Sequence, residues 1–123
     1  GLLYMYNSFY QHLELKPSHG IGVFAGKDFT PTEIVEIAPC IHDHSKDSCS
    51  FLDYVFNSHV APYHSTLILG YGSLYNHADD PNLKYYSHGP RFIIFTACKP
   101  IQKGEELTIS YGDNWWKDRQ KNY

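Results

Sequence analysis

Gly104-Glu105-Glu106-Leu107-Thr108-Ile109-Ser110-Tyr111-Gly112-Asp113 is the stretch on which the reading of this chain turns. Lys103-Gly104-Glu105 has turn chemistry, and Glu106 to Tyr111 reads as a last short strand. Working outward, two further segments stand out. One is Tyr75-Asn76-His77-Ala78-Asp79-Asp80-Pro81-Asn82, the other His19-Gly20-Ile21-Gly22-Val23-Phe24-Ala25. Leu83 to Tyr86, the turn residues Ser87-His88-Gly89-Pro90, and Arg91 to Cys98 read as a hairpin between the first two segments. Ile21 to Ala25, Ile34 to Ile41 and Thr66 to Tyr71 read as further strands, with Pro39 weakening the end of the second. Ser50 to His59 is the best helix candidate, because Ser50 and Asp53 offer caps and Phe51, Leu52, Val55 and Phe56 share a face. Thr30-Pro31-Thr32-Glu33 has the form of a capping box, but the β-branched residues after it favour a strand. Many short strands and little helix predict a mostly-β fold. No strand–helix–strand alternation supports a doubly wound sheet.

Composition bounds the functions. The 123 residues make one domain. Hydrophobic residues at 42% and aromatics at 16%, with 11 Tyr, supply a packed core and exclude a disordered chain. No apolar run approaches the length of a membrane span, so no membrane partner is expected. The net charge of −3 argues against a basic nucleic-acid surface and suits a basic peptide better. Cys40, Cys49 and Cys98 form no CxxC pair, and an odd count argues against a disulfide framework. With no secretory signal visible, a reducing intracellular compartment is the simpler expectation.

Three catalytic readings fail on context. Gly20-Ile21-Gly22-Val23-Phe24-Ala25 fits a loose dinucleotide pattern, yet a turn precedes it and a strand comes after, where that motif needs a strand and then a helix. Close backbone approach or positive φ explains the glycines better. His42-Asp43-His44 with Asp47 and Cys49 is the densest cluster of metal-ligating types, but no second spaced pair completes four ligands, so no metal is expected. Ser73, in Gly70-Tyr71-Gly72-Ser73, lacks the nucleophile-elbow pattern.

Taken together and in order, the three segments resemble those of the SET-domain family of protein lysine methyltransferases. That family has a G-x-G turn, an N-H-S-C-x-P-N segment and a G-E-E-L-T-x-x-Y-G segment. The resemblance runs from about His19 to Trp116, with residues 112–123 as a tail closing the site. It implies the β-clip fold of several short twisted sheets, few short helices, and a C-terminal segment threaded beneath the preceding loop. It also implies S-adenosylmethionine as methyl donor and a protein lysine, on a histone tail for instance, as acceptor. With a histone as substrate the compartment would be the nucleus.

Residue by residue, the resemblance places Tyr111 at the point of methyl transfer. It assigns Gly20, Ile21 and Gly22 to the cofactor's methionine end, Asn76 and His77 to further cofactor contacts, and Trp116 to stacking on adenine. Tyr54, Tyr75 and Trp115 would line the lysine channel. Pro81 and Asn82 fit a turn-fixing role. The chain departs from the pattern at Leu74-Tyr75, where the family has Arg-Phe, and at Ala78-Asp79, where it has Ser-Cys. The missing Cys, with no Cys cluster after Tyr111, implies a minimal domain without flanking zinc modules, like the small viral and bacterial members, in which a homodimer is plausible. The chemistry is consistent with such a site. A lysine amine, with an ordinary pKa of about 10.4, must be neutral to attack a methyl carbon, and an apolar aromatic channel favours the neutral form. Tyr and Trp rings would build that channel, and no metal or triad is required.

Overall fold

The structure, a computed structural model, describes residues 10–43, 55–57 and 65–110. Within them lie one 3-10 turn and nine strands: β1 (Leu13–Ser18), β2 (Gly20–Ala25), β3 (Ile34–Asp43), β4 (Val55–Asn57), β5 (Ser65–Ile68), β6 (Asn76–His77), β7 (Leu83–His88), β8 (Phe92–Ala97) and β9 (Glu106–Ile109). They form two small sheets, one ordered β1-β2-β9-β6 and the other β4-β5-β3-β8-β7. The mostly-β expectation stands.

The first sheet positions the site. β1 and β2 form a hairpin in which Ser18 faces Gly20 across His19. Gly20 takes a φ of 81°, a left-handed conformation that costs a glycine little and most residues more. Pro17 sits in β1, which is an edge strand, so its missing N–H breaks no second ladder. β9 pairs antiparallel with β2 through Val23 and Phe24, and parallel with β6 through Asn76 and His77. Parallel neighbours need a long crossover. Here the crossover is residues 78–105, which contain the whole β7–β8 hairpin. Two segments distant in sequence thereby become adjacent.

β3 is the spine of the second sheet, with β8 along Ile34–Pro39 and β5 along Cys40–Asp43. A register shift between Ile34 and Glu36 re-aims the strand. Val35, Glu36, Ile37 and Ala38 are consecutively buried. Pro39 does not end this strand, because the ladder neighbours bond around it: Cys40 N–H donates to the Arg91 carbonyl, and the Pro39 carbonyl accepts from Leu69. The capping-box pattern is realised in part. Glu33 accepts from the Thr30 N–H at 3.0 Å, yet the chain turns into β3 rather than a helix. Thr32 adopts φ 73° in that turn.

The helix expected over Ser50–His59 is corrected. Val55–Asn57 is a strand paired antiparallel with Ser65–Leu67, while 50–54 and 58–59 lie outside the described residues. β-branched and aromatic residues suit an edge strand once a partner is supplied, and pairing outweighs a weak capping pattern.

The core spans both sheets through Val23, Ala25, Val35, Phe95, Leu107 and Ile109, all fully buried. In its midst lies one carboxylate, Glu36, at 0% exposure. Its Oε2 accepts from the Tyr10 hydroxyl at 2.7 Å and the Tyr71 N–H at 2.9 Å, and its Oε1 from the Tyr75 hydroxyl at 2.7 Å. Burial pushes the Glu36 pKa up, and the three donors oppose that shift. Burial, reinforced by the Glu36 charge, holds the Tyr75 hydroxyl protonated far above neutrality.

Glu36→Ala would remove the acceptor shared by the Tyr10 and Tyr75 hydroxyls and the Tyr71 N–H, and should cost about 3 kcal/mol or more in urea unfolding. A folded-state pKa above the unfolded one means that this carboxyl stabilises the fold fully below about 4.5, its unfolded value, and that this contribution fades as pH rises through the folded value. Glu36→Gln cannot titrate. The stability difference between it and the wild type should therefore shift in favour of Gln as pH rises above 4.5, checked by urea titrations at three pH values.

Candidate functional site

β2 outruns β9. The β2–β9 register stops at Val23, so the backbone of Gly20, Ile21 and Gly22 projects past the end of the ladder on that side. Asn76, at the start of β6, reaches across this gap. Its Nδ2 donates to the Glu106 carboxylate at 2.7 Å and, more weakly, to the Ile21 carbonyl at 3.4 Å. The two segments expected to share the cofactor are thus brought together, bridged by the first residue of β9.

Gly22 has no room for a side chain. A Cβ there would lie 2.5 Å from Glu106 Oε2 and 2.9 Å from Ser18 Cβ. The Glu106 carboxylate therefore packs directly on the Gly22 backbone, and the Ser18 hydroxyl donates to its Oε1 at 2.9 Å. Among the described residues no cation pairs with this carboxylate. Gly20, by contrast, faces open space, and Ile21 is half-exposed.

His77 is partly buried, with Nε2 3.2 Å from the exposed Asp79 carboxylate. The Ala78 N–H donates to the Ile109 carbonyl, continuing the parallel ladder by one bond. Asn82 then closes the loop onto β9. Its Nδ2 donates to the Glu106 carbonyl at 2.9 Å, and its Oδ1 accepts from the Thr108 N–H at 2.9 Å. One amide side chain thereby exchanges the pair of bonds that a neighbouring strand would supply. This goes beyond the turn-fixing role read from the sequence. From β7, the Tyr85 hydroxyl approaches the Ser110 carbonyl at 3.5 Å, at the residue before Tyr111.

Tyr75 requires correction. Expected to line a substrate channel, it is 1% exposed, and its ring packs on Phe95 with centroids 4.8 Å apart. A buried phenol needs an acceptor, and Glu36 provides it on the core side. Tyr75 is a core residue that anchors the approach to Asn76. Tyr54, Tyr111, Trp115 and Trp116 lie outside the described residues, as do His44, Asp47 and Cys49 of the histidine-rich cluster. Among the described residues no three metal-ligating side chains group together, and no helix is long and apolar enough to cross a membrane.

Sequence reasoning gives no role to Glu106 or Glu36. Within its segment Glu106 reads only as the opening of a strand. The available signal is Gly22 itself, since a glycine required by close approach implies a neighbour that occupies its missing Cβ.

The SET-domain family profile matches residues 20–112, which takes in all three segments but for His19 and Asp113, and the chain belongs to that family. Over 103 residues it is 32% identical to a Schizosaccharomyces pombe histone-lysine N-methyltransferase specific for H3 lysine-37, covering 79% of this chain and 69% of that protein. It is 28% identical over 105 residues to the Drosophila melanogaster SET domain-containing protein SmydA-8, of which it spans 23%. Among solved structures it superposes on that of a candidate histone methyltransferase of Plasmodium falciparum with a TM-score of 0.70 and 33% identity, covering 85% of this chain and 96% of that one. These relatives support protein-lysine methyltransferase activity in general.

Asn82→Ala should loosen β9 from the 78–82 loop. Two well-formed hydrogen bonds are lost and buried backbone groups left unpaired, for about 2 kcal/mol of stability. Thermal unfolding checks the loss, and amide exchange at Thr108 should accelerate with it.

Proposed function

We propose that the chain transfers a methyl group from S-adenosylmethionine to the side-chain nitrogen of a lysine in a protein, a histone tail being the first substrate to test. The observation that carries this reading is the meeting of Gly20-Ile21-Gly22, Asn76-His77 and β9, which leads directly into Tyr111. The pombe relative's name, with its histone specificity, supports the choice of substrate.

The residues present fit such a donor. Its amino-acid end carries a carboxylate and an ammonium, which need hydrogen-bond donors and acceptors close together. The projecting backbone of Gly20 to Gly22 supplies both kinds. Asn76, held by its NH2 group, presents its carbonyl oxygen on the other side. The bound cofactor supplies an electrophilic methyl on a sulfonium. Gly20, Ile21 and Gly22 would grip the donor's flexible end and His77 would orient it from β6, with Trp116 the residue to stack on its adenine. Tyr54 and Trp115 would exclude water from the lysine, which favours the neutral amine. Tyr111 would orient that amine through its hydroxyl. The net charge of −3 favours a cationic tail over a nucleic acid. Action on a histone would place the protein in the nucleus, and self-association would appear in analytical ultracentrifugation.

Incubation with methyl-labelled S-adenosylmethionine and a panel of core histones should place label in protein. Tyr111→Phe should lower turnover by about a hundredfold or more, on the scale typical of losing one positioned hydrogen-bonding group, with cofactor affinity retained. Cofactor binding with no transfer to any histone would shift the reading to a non-histone substrate or a non-catalytic SET-like interaction module. Absence of cofactor binding would overturn it.

A further inference from the structure

Resting on the methyl-donor reading above, we propose that Glu106 is the positioning residue of the donor site: it acts through Asn76, by reach and hydrogen bonding rather than by charge. Its carboxylate is where three chain segments converge. Ser18 comes from the tip of the β1–β2 hairpin, Gly22 from the projecting end of β2, and Asn76 from β6.

An asparagine amide can face either way, and the two faces are chemically opposite, one a donor and one an acceptor. Which face meets a ligand depends on what the other face meets. A carboxylate only accepts, so at 2.7 Å Glu106 Oε2 must take the Asn76 NH2 group and cannot take its carbonyl. The Asn76 carbonyl oxygen is thereby committed as the acceptor for an incoming cationic group such as an ammonium. The second Glu106 oxygen accepts from Ser18 and so ties the tip of the β1–β2 hairpin to the start of β9. Gly22 makes the arrangement possible, because any side chain there would displace the carboxylate.

Both of these partners, an amide and a hydroxyl, are neutral, so geometry rather than charge should decide. Glu106→Gln can keep an oxygen toward Asn76 and turn its own NH2 to the Ser18 hydroxyl. Glu106→Asp keeps the charge but loses one methylene of reach.

Calorimetric titration with S-adenosylhomocysteine, the product left after transfer, reads affinity without turnover. Wild-type binding is measured first. Glu106→Ala and Glu106→Asp should each weaken it about tenfold, the scale of one hydrogen bond to a charged group, while Glu106→Gln recovers most of the affinity. In assays the loss should fall on KM for the donor, with kcat changed less than about twofold, as for a group that binds donor and transition state alike. If Glu106 works chiefly through Asn76, then Asn76→Ala combined with Glu106→Ala should cost clearly less than the sum of the two single losses.

Wild-type binding that is unchanged in Glu106→Asp, or additive losses in the double variant, would overturn this role and leave the methyl-donor reading standing. Glu106→Gln as weak as Glu106→Ala would replace geometry with charge and overturn it equally. A wild type that binds neither donor nor product would remove both proposals. Should Glu106→Ala fail to fold, the Asp and Gln pair still decides.

Discussion

β9 lies between β2 and β6, and the candidate site exists because of it. Its Glu106 and Leu107 pair antiparallel with β2, and its Thr108 and Ile109 pair parallel with β6. The segments they join are about half the chain apart, Gly20–Gly22 near one end and Asn76–His77 well beyond the middle. No local preference could bring these together. What holds β9 is alternation: Leu107 and Ile109 are fully buried, while Glu106 and Thr108 face the hydrogen-bonding partners Asn76 and Asn82. A one-residue slip would turn every one of these side chains to the wrong face.

A second constraint works from the core. The turn that delivers Asn76 is fastened below by Glu36, through the Tyr71 N–H and the Tyr75 hydroxyl. Tyr75 is bonded to Asn76 in the chain, so a core carboxylate fixes where β6 begins. A buried charge is costly unless it is fully hydrogen-bonded. Three donors meet that need without a cation among the described residues. An apolar side chain at position 36 would pack more cheaply, but could not specify the 71–75 turn. Burial raises the Glu36 pKa, so this specificity costs some stability near neutral pH.

Much of this is legible in the residues, and unevenly so. The hairpin from Leu83 to Cys98 is readable because turn chemistry at Gly89-Pro90 separates two strand-forming runs, and the observed β7 and β8 match it within two residues. β1 escapes notice because Pro17 disfavours a strand, and at the sheet edge its missing N–H breaks no second ladder. Val55–Asn57 reads as helix because a cap and an apolar face are local signals, whereas its pairing with β5 is not. Of the site, the glycines and the Asn-His pair are visible through resemblance to a family. Their contact through Glu106 is not, because a side-chain bridge across three strands leaves no trace in spacing. Tyr75 is misplaced for the same reason: burial and the acceptor that satisfies it depend on tertiary structure alone.

The two acidic residues left unassigned by the sequence therefore divide one task. Both accept hydrogen bonds from neutral donors in space that an apolar residue could occupy, and each aims a neighbour instead of reacting. Glu36 sets the position of the β6 backbone and Glu106 the orientation of the Asn76 amide upon it. Such a division suits methyl transfer, in which the electrophile is already reactive and the nucleophile needs only to be neutral and aligned. Catalysis of that kind depends more on holding parts within hydrogen-bond tolerance than on supplying an acid or a base. A frame of short strands has few residues per element with which to hold anything, and carboxylates that bridge elements supply the missing rigidity.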